Sequence, residues 1–244
     1  MVRYARKKDI RTRIHTNGTV LTPELSCGLI VSGLDLLSVS FDGYDQEMYD
    51  VNRPNAGFDR VLGNITDFLT FKKNLGSKTP FTAIELMEIT DDPPDIVLKK
   101  RRDFLKRFDG LPLDKFILRK PHNWGGLLDT GPVNPAAKRI ACPLLWHALV
   151  VLWDGKVLPC PQDFFGVLEL GNVNNQTLDE IWNGEAIKNL RREMADTAHL
   201  SKKPCVDCDR IMRSTIAGIP TDYLGRFVSE NILSNNWLGK ILPH

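Results

Sequence analysis

The 244-residue chain has no run of about 18 apolar residues, the least that a bilayer-spanning helix needs. No apolar stretch follows the basic start at 1–8 (MVRYARKK), so a secretory leader is not expected either. The expected location is therefore the cytoplasm, with no membrane partner. Charge of one sign is also scarce. Thirty-two Lys and Arg stand against 30 Asp and Glu, a net of +2, which excludes the one-signed field of a nucleic-acid binder. Cysteine is sparse at five residues, too few for a disulfide-stapled secreted fold of this length. No internal repeat or low-complexity tract is present, which argues against a repeat architecture.

What is present in the first half is an alternation of apolar runs and helical periodicity. Residues 11–16 (RTRIHT) read as a strand ending at the turn signal Asn17-Gly18. Thr22-Pro23 opens a helix, with threonine as N-cap and proline at the first helical position, and Gly33 stops it. Residues 36–41 (LLSVSF) form a second strand closed by Asp42-Gly43. Leu62, Ile65, Phe68 and Leu69 recur at helical spacing and predict a helix over 58–74. Strands at 81–89 and 115–119 flank a basic helix at 96–108 that follows Pro93-Pro94. Four strands alternating with three helices predict a parallel sheet joined by crossovers, each strand buried on both faces.

After Lys120 the texture changes. Residues 121–136 are rich in Gly, Pro and Asn and read as a linker loop that contains His122 and Trp124. Two apolar runs around Asp154-Gly155 predict a β-hairpin. A helix is expected over 177–194, with Leu178, Ile181, Trp182 and Leu190 facing inward, and a short terminal helix or tail at 232–244.

Four of the five cysteines sit in this second half. Twelve residues separate Cys142 from Gly155, four separate Gly155 from Cys160, and a Cys-x-x-Cys pair, Cys205 and Cys208, follows 44 residues later. Four thiolates in two pairs close a tetrahedral zinc site or ligate an iron–sulfur cluster, and ligand number does not choose between them. Two unrelated pairs of buried cysteines, or a thioredoxin-like Cys-x-x-Cys, are the other readings. Cys27, alone in a helix, reads as packed core.

The stretch Cys142-x12-Gly155-x4-Cys160, followed by Leu170-Gly171-Asn172, Thr177–Trp182 (TLDEIW), Arg191 or Arg192 and the late Cys-x-x-Cys, resembles the SPASM module appended to radical S-adenosylmethionine (radical SAM) enzymes. Residues 15–22 (HTNGTVLT) resemble the third strand and turn of the radical SAM core. Residues 37–43 (LSVSFDG), with Arg53 and Phe58 beyond them, resemble its fourth strand and the helix that follows. The resemblance implies an α/β fold: a partial (β/α) radical SAM-type barrel with a small C-terminal cysteine-rich SPASM-like domain. The implied divisions are a partial core at 1–120, a linker at 121–141, the SPASM-like domain at 142–215 and a tail at 216–244. It implies further that Cys142, Cys160, Cys205 and Cys208 bind one auxiliary [4Fe–4S] cluster. Asn17, Ser40, Asp42 and Arg53 are the implied contacts of S-adenosylmethionine, with Arg53 reaching its carboxylate. A peptide or small-molecule substrate and a reductant protein such as a ferredoxin or flavodoxin are the implied partners.

The sequence departs from the family pattern in two places. Ser214 stands where the module's next cysteine falls, so one auxiliary cluster is the most the chain holds. The Cys-x3-Cys-x2-Cys motif that carries the catalytic cluster is absent, so the chain by itself is expected not to cleave S-adenosylmethionine. The first strand is then expected to be an unpaired edge. The expectation is a fragment of such an enzyme, a half completed by a partner, or a remnant. The alternative is a non-catalytic zinc- or iron–sulfur-binding module for recognition or electron transfer.

Overall fold

The structure, a computed structural model, describes residues 1–119, 121–131, 137–196, 200–216 and 219–221. The expected terminal helix at 232–244 and residues 132–136 of the expected linker lie outside the described residues. The chain divides into two compact units, Met1–Lys120 and Pro121–His244.

The first unit runs α1 (Val2–Lys7), β1 (Arg13–Thr16), α2 (Pro23–Val31), β2 (Leu36–Ser40), α3 (Gln46–Asn52), α4 (Phe58–Asn74), β3 (Phe81–Met87), α5 (Pro94–Leu105) and β4 (Lys115–Arg119). The four strands pair in sequence order and all in parallel, the α/β arrangement expected from the alternation. Helix starts follow local chemistry. The Thr22 hydroxyl accepts from Leu25 N at the head of α2, and Asp45 does the same for Met48 N at the head of α3. Helices α1 and α3 were not anticipated; at 6 and 7 residues they are too short to show a period.

The sheet has two unlike faces because side chains alternate along each strand. Leu37 and Val39 of β2 and Ile84 and Leu86 of β3 join Val61, Leu62, Ile65, Phe68 and Leu69 of α4 in one core. The opposite face carries His15, Ser38, Ser40, Glu85 and Arg119. Burial on both faces, expected of every strand, holds only for most of β2 and β3. At the edges β1 alternates exposed with half-buried, and β4 ends exposed. Lys72 of α4 is 1% exposed and fully partnered: its ammonium donates to Asp114 Oδ2 at 2.5 Å, Thr82 Oγ1 at 3.2 Å and the Pro112 carbonyl at 3.2 Å.

The second unit holds two small antiparallel sheets. Strands β6 (Val150–Val151), β7 (Lys156–Leu158) and β8 (Gly171–Asn172) form one, and β5 (Ala137–Arg139), β9 (Met212–Ile216) and β10 (Ile219–Pro220) the other. The expected hairpin is β6–β7. Its Gly155 has φ +88°, and a Cβ there would lie 2.5 Å from the Asn174 amide and 2.7 Å from that of Asn172. The single helix expected at 177–194 is instead two, α6 (Leu178–Trp182) and α7 (Glu185–Ala195). Thr177 and Glu180 form a capping box that starts α6, and Gly184 in extended conformation starts α7 anew. The break leaves Leu178 exposed, against the inward position expected, while Ile181 and Leu190 are buried.

Candidate functional site

All four second-half cysteines line one pocket, together with Leu145, Leu168, Met194 and Ile211. Each comes from a different local device. Cys142 caps the 3-10 turn Pro143–Trp146. Cys160 follows β7, at the exit of the hairpin. Cys205 opens the 3-10 turn Cys205–Asp207, and Cys208 sits between it and the turn Asp209–Ile211. Beneath the thiols lies an apolar cluster of Leu145, Leu190, Met194, Leu200 and Ile211. Arg191 fixes one wall: its guanidinium lies 4.2 Å from the Trp182 ring centroid and donates to the carbonyls of Leu145 at 2.9 Å and Trp182 at 3.1 Å.

The electrostatics of the pocket are those of four acids crowded into a dry site. Burial pushes all four thiols up, and Cys205 reaches about 12 because Cys160, Cys142 and Cys208 add their repulsion. Backbone N–H groups work the other way at three of them: Leu144 and Leu145 on Cys142, Gln162 on Cys160 at 3.2 Å, and Arg210 on Cys208. Amides aimed at sulfur favour the thiolate, the form that ligates metal. A bound cation reverses the penalty that burial imposes and drives the protons off. The donor set thus fits a thiolate-ligated metal centre. Among the described residues no three His, Cys, Asp or Glu side chains close on a single ion.

The first unit gathers a second set of groups at the C-terminal ends of its strands. Asp42, 7% exposed, accepts from Met87 N at 3.0 Å through Oδ1. Its Oδ2 accepts from Arg53 Nε at 2.8 Å and Nη2 at 2.5 Å. Asn17 is exposed, its Oδ1 accepting from the Thr19 N–H and hydroxyl at 3.1 and 2.8 Å. Ser40 is half-buried on the polar face of the sheet. The structure thus joins Asp42 to Arg53, while Asn17 is engaged in its own turn.

The polar face of the sheet carries a network of paired groups centred on Glu85. Glu85 accepts from the Ser38 hydroxyl at 2.8 Å and from Arg119 Nε at 3.0 Å, and His15 and Arg13 both stand 3.9 Å from its Oε1. Burial pushes the Glu85 carboxyl up, but Arg119, Ser38 and His15 together outweigh it and hold the group below its ordinary value. Burial and the Arg13 charge lower His15 below its ordinary value, against the pull of Glu85. Four strands contribute one group or more each. The signals in the sequence are Glu85 within the strand at 81–89 and the polar alternation Arg13-x-His15.

A parallel α/β unit is followed by a small unit with four thiols around one pocket, a donor set suited to a metal or a cluster. Comparison with known proteins makes the class specific. Residues 142–209 match SPASM, an iron–sulfur cluster-binding domain. The chain is 22% identical over 245 residues to the tungsten-containing aldehyde ferredoxin oxidoreductase cofactor-modifying protein of Pyrococcus furiosus, covering 85% of this chain and 68% of that one. It is 28% identical over 93 residues to the S-adenosyl-L-methionine-dependent 2-deoxy-scyllo-inosamine dehydrogenase of Niallia circulans, 38% of this chain but only 37% of that one. The crystal structure of hexahistidine-tagged anSMEcpe with bound AdoMet shares the fold, with a TM-score of 0.52 at 15% identity over 95% of this chain and 76% of that chain. The second unit thus matches an iron–sulfur cluster-binding domain over residues 142–209, and the chain as a whole is similar to S-adenosylmethionine-dependent and cofactor-modifying proteins. Among the described residues no helix is long and apolar enough to cross a membrane.

Proposed function

We propose that the chain is the cofactor-side and auxiliary-cluster part of a radical SAM oxidoreductase or modifying enzyme. Cys142, Cys160, Cys205 and Cys208 hold one [4Fe–4S] cluster. The observation that carries this reading is the convergence of all four thiols on one pocket from three separate segments. Four thiolates suit a zinc or a cluster alike, and the match of residues 142–209 to an iron–sulfur cluster-binding domain favours the cluster. With four protein ligands such a cluster supplies one-electron transfer or structural support rather than an open iron for substrate. Asn17, Ser40, Asp42 and Arg53 form the S-adenosylmethionine side. Asp42 engages Nε and Nη2 of Arg53, which leaves Nη1 to meet a carboxylate. The names of the relatives, a dehydrogenase and a cofactor-modifying protein, support an oxidative or modifying reaction on a small molecule or peptide. A ferredoxin or flavodoxin is the reductant.

Anaerobic reconstitution with iron and sulfide tests the reading. A brown chain with about four irons and four sulfides supports the cluster. One tightly held zinc with no iron overturns it in favour of the recognition module. Calorimetry of the reconstituted chain with S-adenosylmethionine, wild type against Arg53→Ala, tests the cofactor side.

A further inference from the structure

We propose that the loop at 122–126 (HNWGG) is a positioning clamp for Cys205 and Cys208, a role that rests on the reading of these thiols as cluster ligands. The side chain and backbone of Asn123 grip the residues on either side of Cys208. Its N–H donates to Asp209 Oδ2 at 2.8 Å, its Nδ2 donates to the Asp207 carbonyl at 2.6 Å, and its Oδ1 accepts from Asp209 N at 3.1 Å. These contacts span 84 to 86 residues of sequence. The same Oδ1 accepts from Gly125 N at 3.1 Å, and the Asn123 carbonyl accepts from the N–H groups of Gly126, Leu127 and Leu128. A tight turn thereby fixes the gripping residue itself.

The backbone of this turn is unusual. Trp124, Gly125 and Gly126 have φ of +49°, +67° and +90° in succession. A Cβ on Gly125 would lie 2.4 Å from Pro204 Cβ, and one on Gly126 2.6 Å from Asp207 Cβ. Pro204 precedes Cys205 and Asp207 precedes Cys208, so bare backbone presses on the residues just before both thiols. Left-handed conformation is costly for a tryptophan and persists where surroundings enforce it. The Cys-x-x-Cys segment holds one 3-10 turn of three residues, with a second just beyond Cys208, each too short to hold two sulfurs rigidly alone. Cys142 and Cys160 are positioned instead by their own turn and hairpin. The clamp therefore acts on one pair of thiols and not the other.

The test compares wild type with Asn123→Ala and Gly126→Ala, and with Asn183→Ala, whose amide bonds only Asp179, as control. In the metal-free reduced chain, alkylation of each cysteine is followed by peptide mass spectrometry. The clamp variants are expected to speed Cys205 and Cys208 while leaving Cys142 and Cys160 at wild-type rates. In the iron-loaded chain they are expected to lose iron to a chelator roughly tenfold faster or more, the range for supporting partners of metal ligands, and to shift the EPR g-values of the reduced cluster. Asn123→Gln is expected to restore neither, being one methylene too long. Equal acceleration of all four thiols, or none with unchanged iron release, overturns the clamp. If the wild type binds zinc and no iron, the cluster reading fails, while the alkylation ratio still decides the clamp.

Discussion

Cys205 is the residue on which the chemistry of the second unit turns. Burial and three neighbouring thiols hold it protonated up to about 12. A group whose folded value lies above its unfolded value of 9.0 stabilises the fold fully below that pH and loses the contribution as pH rises toward the folded value. The metal-free second unit is therefore expected to lose stability from about pH 9 to about 12, and Cys205→Ser to flatten that loss, as read by urea midpoints across the range. Metal loading has the opposite sign, since each ligated sulfur gives up its proton. Iron uptake is expected to acidify a weakly buffered solution and to weaken as pH falls. Cys205→Ser is expected to abolish stable iron binding, whereas Cys27→Ser, at an exposed helical site, leaves iron per chain unchanged. The cysteines were legible in the sequence because only thiolates do this work and their spacing survives without a structure. Asn123 and His15 were not, because their roles depend on partners 86 and 70 residues away, which no local pattern announces. Cys27 was read as packed core and is exposed, since one residue carries no periodicity by itself.

At the scale of elements, the parallel strands and the long α4 were legible because apolar runs and a 3.6-residue period are strong signals over 5 to 17 residues. The break between α6 and α7 was not, because the apolar spacing continues through it while the capping chemistry of Thr177, Glu180 and Gly184 cuts it. Lys72 shows how elements are tied. Its charge, buried in α4, is met by Thr82 of β3 and by Pro112 and Asp114 of the segment leading into β4. Asp114→Ala leaves a buried ammonium without its counter-charge and is expected to cost about 3 kcal/mol. Lys72→Met removes the charge and keeps the volume, and is expected to cost much less; urea unfolding followed by circular dichroism separates the two. Gly155 does comparable work at the hairpin, where its left-handed backbone passes under Asn172 and Asn174. Gly155→Ala is expected to destabilise the hairpin by about 1 kcal/mol or more. Because Cys160 exits that hairpin, the same variant is expected to release iron faster than wild type.

For the whole molecule, the cysteine inventory sets a ceiling on what the chain can carry. Five cysteines are present and four line one pocket. Cys27 stands alone on α2, so no second set of three thiols exists in this sequence to seat another cluster. The first unit nevertheless keeps Ser40 and Asp42 at the C-terminal end of β2, with Arg53 at the end of α3 paired to Asp42, where α/β folds place their ligand groups. These two facts separate binding from chemistry. The reconstituted chain is expected to hold about four irons rather than eight. It is expected to bind S-adenosylmethionine in a manner that Arg53→Ala weakens. Supplied with dithionite, it is expected to form no 5′-deoxyadenosine above a cluster-free control. Chromatographic assay of the nucleoside decides the matter. Formation at a rate that scales with iron content would mean that the four-cysteine centre itself delivers electrons to S-adenosylmethionine, and the division of labour between the two units would have to be abandoned.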